Sequence, residues 1–330
     1  MGRIYRLGFE RALPGEQNGR NDARWSLDGL DPTTPIRTGH FIASDQEAVP
    51  YRLWPAAAPR ALILLLHGAF DYSGAFDEIG PWFAQRGFTA MAIDQRGFGA
   101  TASRGQWRGK TRMIRDVIEA VSFLRGRFGA EVPVFVLGES MGAALAVHAA
   151  ARAPDLDVAG LVLAAPCTVS GVWRTFIWAS IIRILRLVLP NSGMTVERVT
   201  AGELTPAAAI RLLADPLVLR RVRLSTLFGL LKLARRAVDE AERVRVPVLT
   251  MAGSSDVVLR VAWVARLYAK LSGAKEWACF ADGPHLLLHW KDRDRPLARG
   301  FAWIGARLTE RGHSSTTETL SGADSSTVNG

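Results

Sequence analysis

The chain contains 330 residues, of which 48% are hydrophobic and 22% are charged, and its formal net charge is +10. This length and composition exclude a chain too polar to bury a large core, and they favour one large α/β domain with an insertion over two separate domains. The positive charge does not by itself indicate a nucleic-acid partner, and we expect none because the sequence contains no nucleic-acid-binding motif. Much of the excess lies between residues 171 and 245, with 13 Lys and Arg against 6 Asp and Glu.

The two cysteines, Cys167 and Cys279, lie far apart and match no metal-binding or redox spacing. We expect both to be small, buried hydrophobic residues in a reduced protein.

Residues 1–6 lack the apolar core of a signal peptide, so the sequence favours a cytoplasmic location.

Residues 1–40 have no sustained hydrophobic period and predict an extended N-terminal arm. After residue 40, strand-like and helix-like segments alternate, which predicts a mostly parallel sheet with helices on both faces. The predicted strands are 41–44, 49–54, 60–66, 88–93, 132–137, 158–164, 246–252 and 276–280. The predicted helices between and after them include 73–86, 110–128, 260–271 and 296–308.

This alternation stops at about Cys167 and resumes at about residue 246. The intervening segment shows helical patterns but no strand pattern, so residues 167–245 predict an inserted helical cap. The core is then formed by residues 41–166 and 246–310. The tail, residues 311–330, is rich in Ser, Thr and Gly, and its composition favours disorder.

The stretch from Val132 to Ala150 predicts a buried strand, a tight turn and an Ala-rich helix, with Ser140 at the bend. Gly138 and Gly142 flank this serine at two residues on either side. Because they lack a Cβ, the neighbouring backbones can approach closely while the serine hydroxyl projects above the sheet edge. This pattern is typical of a nucleophile, and a chance Gly-x-Ser-x-Gly match seldom falls between a strand and a helix.

A serine hydroxyl becomes a strong nucleophile only when a base takes its proton and a carboxylate orients that base. Asp256 and His285 follow the last two predicted strands, so their side chains are expected at the same sheet edge as Ser140. The order Ser, Asp, His is that of one large class of serine hydrolases. The rival residues are less well placed: Asp282 in the tight loop before the base, His289 as a support or surface residue, and His148 inside a helix.

Charge that develops on the substrate carbonyl oxygen requires two hydrogen-bond donors. The backbone N–H of Met141, directly after the serine, is one candidate. The second candidate is the N–H of Ala69, in the loop after the predicted strand 60–66. His67 and Gly68 are expected to shape this loop.

Six stretches in order carry a family resemblance: Leu66-His-Gly-Ala69, Asp94-Gln-Arg-Gly-Phe-Gly99, Gly138-Glu-Ser-Met-Gly142, Asp215-Pro-Leu-Val218, Gly253-Ser-Ser-Asp256 and Gly283-Pro-His285. On these motifs, residues 41–308 resemble the monoacylglycerol lipase and lysophospholipase branch of the α/β-hydrolase superfamily. The resemblance implies the α/β-hydrolase fold, with the helical insertion as a roof over a lipid-binding pocket. Three residues depart from the branch's pattern: Phe70 replaces a second glycine, while Phe98 and Glu139 each replace a common histidine.

Phe70 and Glu139 flank the serine in this arrangement, so we expect both in the substrate pocket, together with Trp173 and Trp178 of the cap. The cap segment 172–189 is aromatic and aliphatic but contains three arginines, which argues against a transmembrane span. An interfacial helix that contacts an anionic inner-membrane surface is one interpretation. A cap helix that only packs on the core is the other.

The resulting hypothesis is a serine hydrolase that cleaves lipids with a single acyl chain, either monoacylglycerols or lysophospholipids, with no metal or cofactor. A general carboxylesterase or thioesterase for small soluble esters would use the same residues. A non-catalytic ligand-binding protein on the same fold is a further alternative, which the intact Ser140, Asp256 and His285 disfavour.

Overall fold

A twisted sheet of eight strands forms the centre of the computed structural model, which describes residues 7–10, 35–169, 193–196 and 201–323. Residues 7–10, 193, 194, 196, 201 and 312–323 are described by their backbone only. Three further short strands pair with one another outside this sheet. In chain order the strands are β1 (Leu7–Glu10), β2 (Arg37–Ile42), β3 (Ala48–Trp54), β4 (Ala61–Leu66), β5 (Phe88–Ile93), β6 (Val134–Glu139), β7 (Gly160–Ala164), β8 (Gly193–Val196), β9 (Arg221–Arg223), β10 (Val248–Gly253) and β11 (Lys275–Phe280).

The α-helices of the described residues cover both faces of the sheet or belong to the insertion between β7 and β10. In chain order they are α1 (Ile79–Ala84), α2 (Lys110–Phe128), α3 (Met141–Arg152), α4 (Pro206–Ala214), α5 (Leu224–Glu240), α6 (Val261–Lys270) and α7 (Asp294–Ala323). Short 3₁₀ turns lie at Ser73–Phe76, Ala201–Glu203, Ala241–Arg243 and Leu287–His289.

The strand order in the large sheet is β11-β10-β7-β6-β4-β5-β3-β2. From β11 to β5 every neighbouring pair is parallel, whereas β3 pairs antiparallel with both β5 and β2. The predicted mostly parallel α/β fold is therefore confirmed, and the antiparallel pair β2 and β3 precedes the parallel strands in the chain.

Strand β4 illustrates why the central strands are continuously apolar. Leu62, Leu64 and Leu66 point into one buried layer, and Ile63 and Leu65 point into the layer on the opposite face. Because side chains alternate across a strand, a strand covered by helices on both faces needs hydrophobic residues at every position.

Most element bounds agree with the sequence analysis, and those of β5 and α2 coincide with the prediction. The single helix predicted at 73–86 is wrong: the segment forms a 3₁₀ turn at Ser73–Phe76 followed by the short helix α1. Pro81 explains part of the break, because a proline is tolerated in the first turn of a helix but not in the middle of a longer one.

The prediction that the insertion contains no strand is also wrong. Strand β8 pairs antiparallel with β9 within the insertion and with β1 from the N-terminal arm. Strands of three or four residues are too short to display a period-2 pattern, so sequence periodicity could not reveal them.

Two further expectations differ from the structure near the C-terminal end of the chain. Helix α7 continues to Ala323 and so enters the segment for which composition favoured disorder, because helical hydrogen bonds are local and do not require a packed face at every turn. Cys167 is buried as expected, but Cys279 is exposed, because its strand β11 forms the edge of the sheet.

The parallel arrangement places the carboxyl ends of β4, β6, β10 and β11 along one edge of the sheet. The predicted functional loops all begin at this edge. They are the segment 67–73 after β4, Ser140 after β6, Asp256 after β10 and His285 after β11. In open α/β sheets, this edge is where ligand sites are usually found.

Candidate active site

Ser140 lies at a strained bend between β6 and α3, with a backbone φ of 52°. A Cβ on Gly142 would lie 2.1 Å from the carbonyl oxygen of Leu66, and one on Gly138 would lie 2.5 Å from the nitrogen of Ala143. Both contacts are far too short for real atoms, so the bend requires glycine at both positions. The Ser140 N–H donates to Ala164 O at 2.9 Å, which ties the bend to the neighbouring strand β7.

The side chains of Ser140, His285 and Asp256 form a continuous line of hydrogen bonds. His285 Nε2 lies 2.9 Å from Ser140 Oγ, and His285 Nδ1 lies 2.7 Å from Asp256 Oδ2. Since an ionised carboxylate only accepts, Nδ1 carries the proton, and Nε2 is then free to accept the proton of the serine hydroxyl. The arrangement has the geometry needed for a base that is oriented by an acid.

Asp256 is held in place by its own loop. Its Oδ1 accepts hydrogen bonds from the backbone N–H groups of Val258 and Leu259, at 2.8 and 2.7 Å. Its Oδ2 therefore stays directed at His285. The rival carboxylate, Asp282, is exposed and has a φ of 61°; its backbone N–H donates to Ser254 Oγ. The structure thus brings Asp256, and not Asp282, to the histidine.

The loop after β4 passes directly beside the serine, as expected for a source of oxyanion donors. A Cβ on Gly68 would lie 3.6 Å from Ser140 Cβ, so the next residue, Ala69, is close to the nucleophile. His67 stabilises this loop from beneath: its Nδ1 donates to Gly68 O at 2.7 Å, and its Nε2 accepts from the N–H of Gln95 at 3.0 Å. Burial lowers the pKa of His67, in keeping with a neutral ring that serves as both donor and acceptor.

The second donor candidate, the N–H of Met141, belongs to the first residue of α3. The N–H groups in the first turn of a helix have no partner within the helix, and the helix dipole favours negative charge there. The expected donor at Met141 therefore directly follows Ser140, and the one at Ala69 directly follows Gly68 in the loop beside it.

Phe70 has a φ of 73°, in the left-handed region that favours glycine. This explains why the resemblance leads one to expect a glycine at this position. The half-buried Phe70 ring lies 6.3 Å from the ring of Phe98, which is itself buried against His67. The two phenylalanines that depart from the family pattern thus pack against each other, Phe70 in the loop after β4 and Phe98 in the loop after β5.

Glu139 does not lie in the substrate pocket, and that expectation is corrected. The residue is 1% exposed; its Oε1 accepts from the N–H of Leu288 at 2.9 Å, and its Oε2 lies 3.2 Å from His289 Nε2. Glu139 is the last residue of β6, where side chains alternate between faces, so its side chain and that of Ser140 diverge. His289 is accordingly a buried support residue.

His148 is also remote from the serine hydroxyl. Its ring is buried, with Nδ1 2.6 Å from Glu240 Oε2 and Nε2 3.0 Å from Leu233 O. Arg152 adds a hydrogen bond to Glu240 Oε1 at 2.5 Å. These contacts join α3 to α5 and give His148 a structural position.

The cap helix predicted at 172–189, with Trp173 and Trp178, lies outside the described residues. Within the described ranges, no helix is both long and apolar enough to cross a membrane. The same ranges contain no cluster of three or more His, Cys, Asp or Glu side chains that could hold a metal ion.

Similarity to known proteins shows the family of this chain. Residues 57–292 match the family described as serine aminopeptidase, S33. The chain belongs to this family. Its fold and its relatives identify it as an α/β-hydrolase similar to monoglyceride lipases, which confirms the resemblance inferred from the motifs.

Three known proteins illustrate what this chain is similar to. Monoglyceride lipase from Mus musculus is 30% identical over 224 residues, which are 66% of this chain and 72% of the mouse protein. A soluble variant of monoglyceride lipase from Saccharomyces cerevisiae, solved with a substrate analogue, has a TM-score of 0.71 at 17% identity; the match covers 84% of this chain and 97% of the yeast chain. A thermostable carboxyl esterase from Bacillus coagulans has a TM-score of 0.69 at 18% identity, covering 84% and 100%. The two solved structures share the fold.

Sequence reasoning missed one group of residues near Ser140. Asp71 and Tyr72, in the loop after β4, contact Arg211 and Asp215 of the insertion. Asp215 was visible as part of an Asp-Pro-Leu motif, but nothing in the sequence identified its partner, because the two residues are 143 positions apart.

Proposed function

We propose that this S33 protein hydrolyses lipids with one acyl chain, either monoacylglycerols or lysophospholipids, through Ser140, His285 and Asp256. The observation that carries the proposal is the line of hydrogen bonds from Asp256 through His285 to a serine on a glycine-flanked bend. The 30% identity to mouse monoglyceride lipase supports the substrate class.

In the first half of the reaction, Ser140 Oγ attacks the ester carbonyl carbon while His285 Nε2 takes the hydroxyl proton. The resulting negative charge on the carbonyl oxygen is stabilised by the N–H groups of Ala69 and Met141. Asp256 stabilises the imidazolium that forms. The bond to the alcohol then breaks, and the alcohol oxygen takes the proton from His285, which leaves an acyl group on Ser140.

In the second half, water replaces the alcohol. His285 takes a proton from the water as its oxygen attacks the acyl carbon, and the same two N–H groups bind the oxyanion again. The bond to Oγ breaks, Oγ recovers a proton from His285, and a fatty acid is released. Besides water, this mechanism uses only groups of the chain, with no metal or cofactor.

The insertion supplies the specificity in this proposal. Residues 167–245 act as a cap on the core formed by residues 41–166 and 246–310, and Trp173 and Trp178 contribute apolar contacts to the acyl chain. Phe70 contributes a contact next to the carbonyl. The excess of basic residues in the cap would favour anionic lipid surfaces.

The test is hydrolysis of matched series of monoacylglycerols, lysophospholipids and soluble short-chain esters by the wild type and by Ser140→Ala. We expect kcat/KM to increase with acyl chain length, and Ser140→Ala to lower kcat by about a million-fold. A fluorophosphonate probe should label the wild type and not the variant. Ester hydrolysis by Ser140→Ala in a preparation free of other hydrolases would overturn the proposal.

The same series separates the alternatives. A preference for short soluble esters would indicate a general carboxylesterase or thioesterase. Absence of both hydrolysis and fluorophosphonate labelling would indicate a binding protein. Co-sedimentation with anionic and with neutral liposomes tests membrane contact separately, because the basic cap should favour the anionic vesicles.

A further inference from the structure

Helix α4 of the insertion connects two of the loops that form the site. At its N-terminal end, the Thr205 N–H donates to His289 O at 2.9 Å, and Thr205 Oγ1 donates to Glu78 Oε2 at 3.2 Å. Thr205 Oγ1 also caps the helix by accepting from the N–H of Ala208. This end of α4 is therefore fixed to the loop that carries His285.

The C-terminal end of α4 contacts the oxyanion loop, residues 67–73. Arg211 binds both carboxylate oxygens of Asp71, with Nε 3.3 Å from Oδ1 and one terminal nitrogen 3.1 Å from Oδ2. The side chains of Arg211 and Asp71 are 11% and 6% exposed, so this ion pair is shielded from water. Breaking a pair in such a position by removing one partner is strongly destabilising.

A second contact lies just beyond the helix. Tyr72 is 2% exposed, and its hydroxyl donates to Asp215 Oδ2 at 2.6 Å. Burial and this hydrogen bond raise the pKa of Tyr72, so the phenol remains protonated and acts as the donor. Asp215 Oδ1 in turn accepts from the N–H of Leu217, which orients the carboxylate.

The third contact is made by the backbone of the oxyanion loop itself. The carbonyl oxygen of Phe70 accepts from the N–H of Leu219 at 2.8 Å. This carbonyl belongs to the peptide unit between Phe70 and Asp71, and the positive φ of Phe70 sets the angle between that unit and the one that joins Phe70 to Ala69. A phenylalanine adopts such a backbone conformation only under constraint. Three consecutive residues directly after Ala69 are thus restrained by the insertion. Phe70 is held by Leu219, Asp71 by Arg211 and Tyr72 by Asp215.

We propose that Arg211 and Asp215 are positioning residues that hold the N–H of Ala69 in the orientation needed to bind the oxyanion. They act through Asp71 and Tyr72 and do not touch the substrate. Displacement of α4 therefore changes the donor geometry, and the insertion controls turnover as well as access. This inference rests on the proposed function.

The sharpest test removes a single hydroxyl with Tyr72→Phe, which keeps the buried ring. Since displacement of a catalytic group by about 1 Å can cost about a hundred-fold, we expect kcat for a soluble ester to fall about ten- to a hundred-fold, with KM nearly unchanged. Affinity for an alkylboronic acid, which forms a tetrahedral anion on Ser140, should fall by the same factor. Tyr51→Phe is the matched control. Tyr51 lies in β3, which β5 separates from β4, and its replacement should leave kcat and boronate affinity unchanged.

Asp215→Asn and the double variant test whether the two residues act together. Because they form one hydrogen bond, the double variant Tyr72→Phe/Asp215→Asn should lose no more boronate affinity than the more impaired single variant. Thermal unfolding of each variant shows whether it is folded at the assay temperature. Arg211→Gln is a further variant, but Asp71 would be left without its ion-pair partner, so the conclusion does not depend on it.

Wild-type kcat and boronate affinity in Tyr72→Phe would overturn the inference, as would losses that add fully in the double variant. A lower kcat with unchanged boronate affinity would also overturn it, because the hydroxyl would then act on a step other than oxyanion binding. Boronate binding is measured by calorimetry and needs no natural substrate. Failure of the proposed lipid substrates therefore leaves this test intact.

Discussion

The carboxylate of Glu139 binds the loop that carries His285, through the N–H of Leu288 at 2.9 Å and the ring of His289 at 3.2 Å. Glu139 directly precedes Ser140 in the chain. Ser140 and the segment that follows His285 are therefore joined by one buried side chain, and changes at Glu139 should affect the distance between Ser140 and His285.

Replacement of Glu139 by alanine should lower both stability and kcat. The change leaves the buried N–H of Leu288 without an acceptor, which costs about 1–3 kcal/mol of unfolding free energy. Glu139→Gln retains an oxygen for Leu288 and should be less harmful. Urea unfolding and ester hydrolysis measure the two effects. If Glu139→Ala matches the wild type in both, the side chain has no role in holding the base loop.

The assignment of the acid is tested by Asp256→Asn. The N–H groups of Val258 and Leu259 keep the one amide oxygen, so the NH2 group faces His285 Nδ1 and cannot accept its proton. The ring loses its orientation and tautomer, and kcat should fall about ten-thousand-fold. Asp282→Asn is the matched control, since its side chain is exposed and lies in the loop just before the same histidine. Equal losses in the two variants would contradict the assignment of Asp256.

Stability at acid pH should depend on Glu240. Burial alone would raise the pKa of Glu240, but hydrogen bonds from Arg152 and His148 outweigh burial and hold the pKa well below its usual range. A carboxyl whose pKa is lower in the folded state stabilises the protein at neutral pH, and this contribution is lost as the pH falls below about 5.

We therefore expect Glu240→Gln to be less stable than the wild type at pH 7, with a smaller difference at pH 3. The unfolding free energy from urea titrations at each pH measures this. Glu242→Gln, an exposed neighbour, is the control and should follow the wild type. A difference that is constant with pH would show that Glu240 does not contribute through its charge.

The positive φ of Phe70 predicts an unusual order of stability among its variants. Phe70→Ala and Phe70→Gly both lose the contact with Phe98, but only glycine relieves the left-handed backbone. Glycine also has more conformational freedom in the unfolded chain, so the net advantage of Phe70→Gly over Phe70→Ala should be about 1 kcal/mol. Urea midpoints of the two variants decide this, and a less stable glycine variant would contradict the strain at this position.

The sequence by itself determined the features that depend on near neighbours in the chain. The bend at Ser140 follows from one glycine on each side of the serine, two residues away, and from an apolar strand before it. The predicted strands and the helix α2 follow from hydrophobic periodicity, and the motif order that identifies the family is a linear property of the chain. Such features rest on local backbone conformation, which adjacent residues control.

Only the tertiary structure decided which distant side chains meet. Glu139 was expected in the pocket, but its direction depends on the face of β6 and on the loop packed against that face. Tyr72 and Asp215 are far apart in sequence, and their contact exists because α4 packs on the loop after β4. The pairing of β1 with β8 likewise depends on how the elements assemble in space. Composition and spacing do not encode these contacts locally, because each depends on the combined positions of several elements.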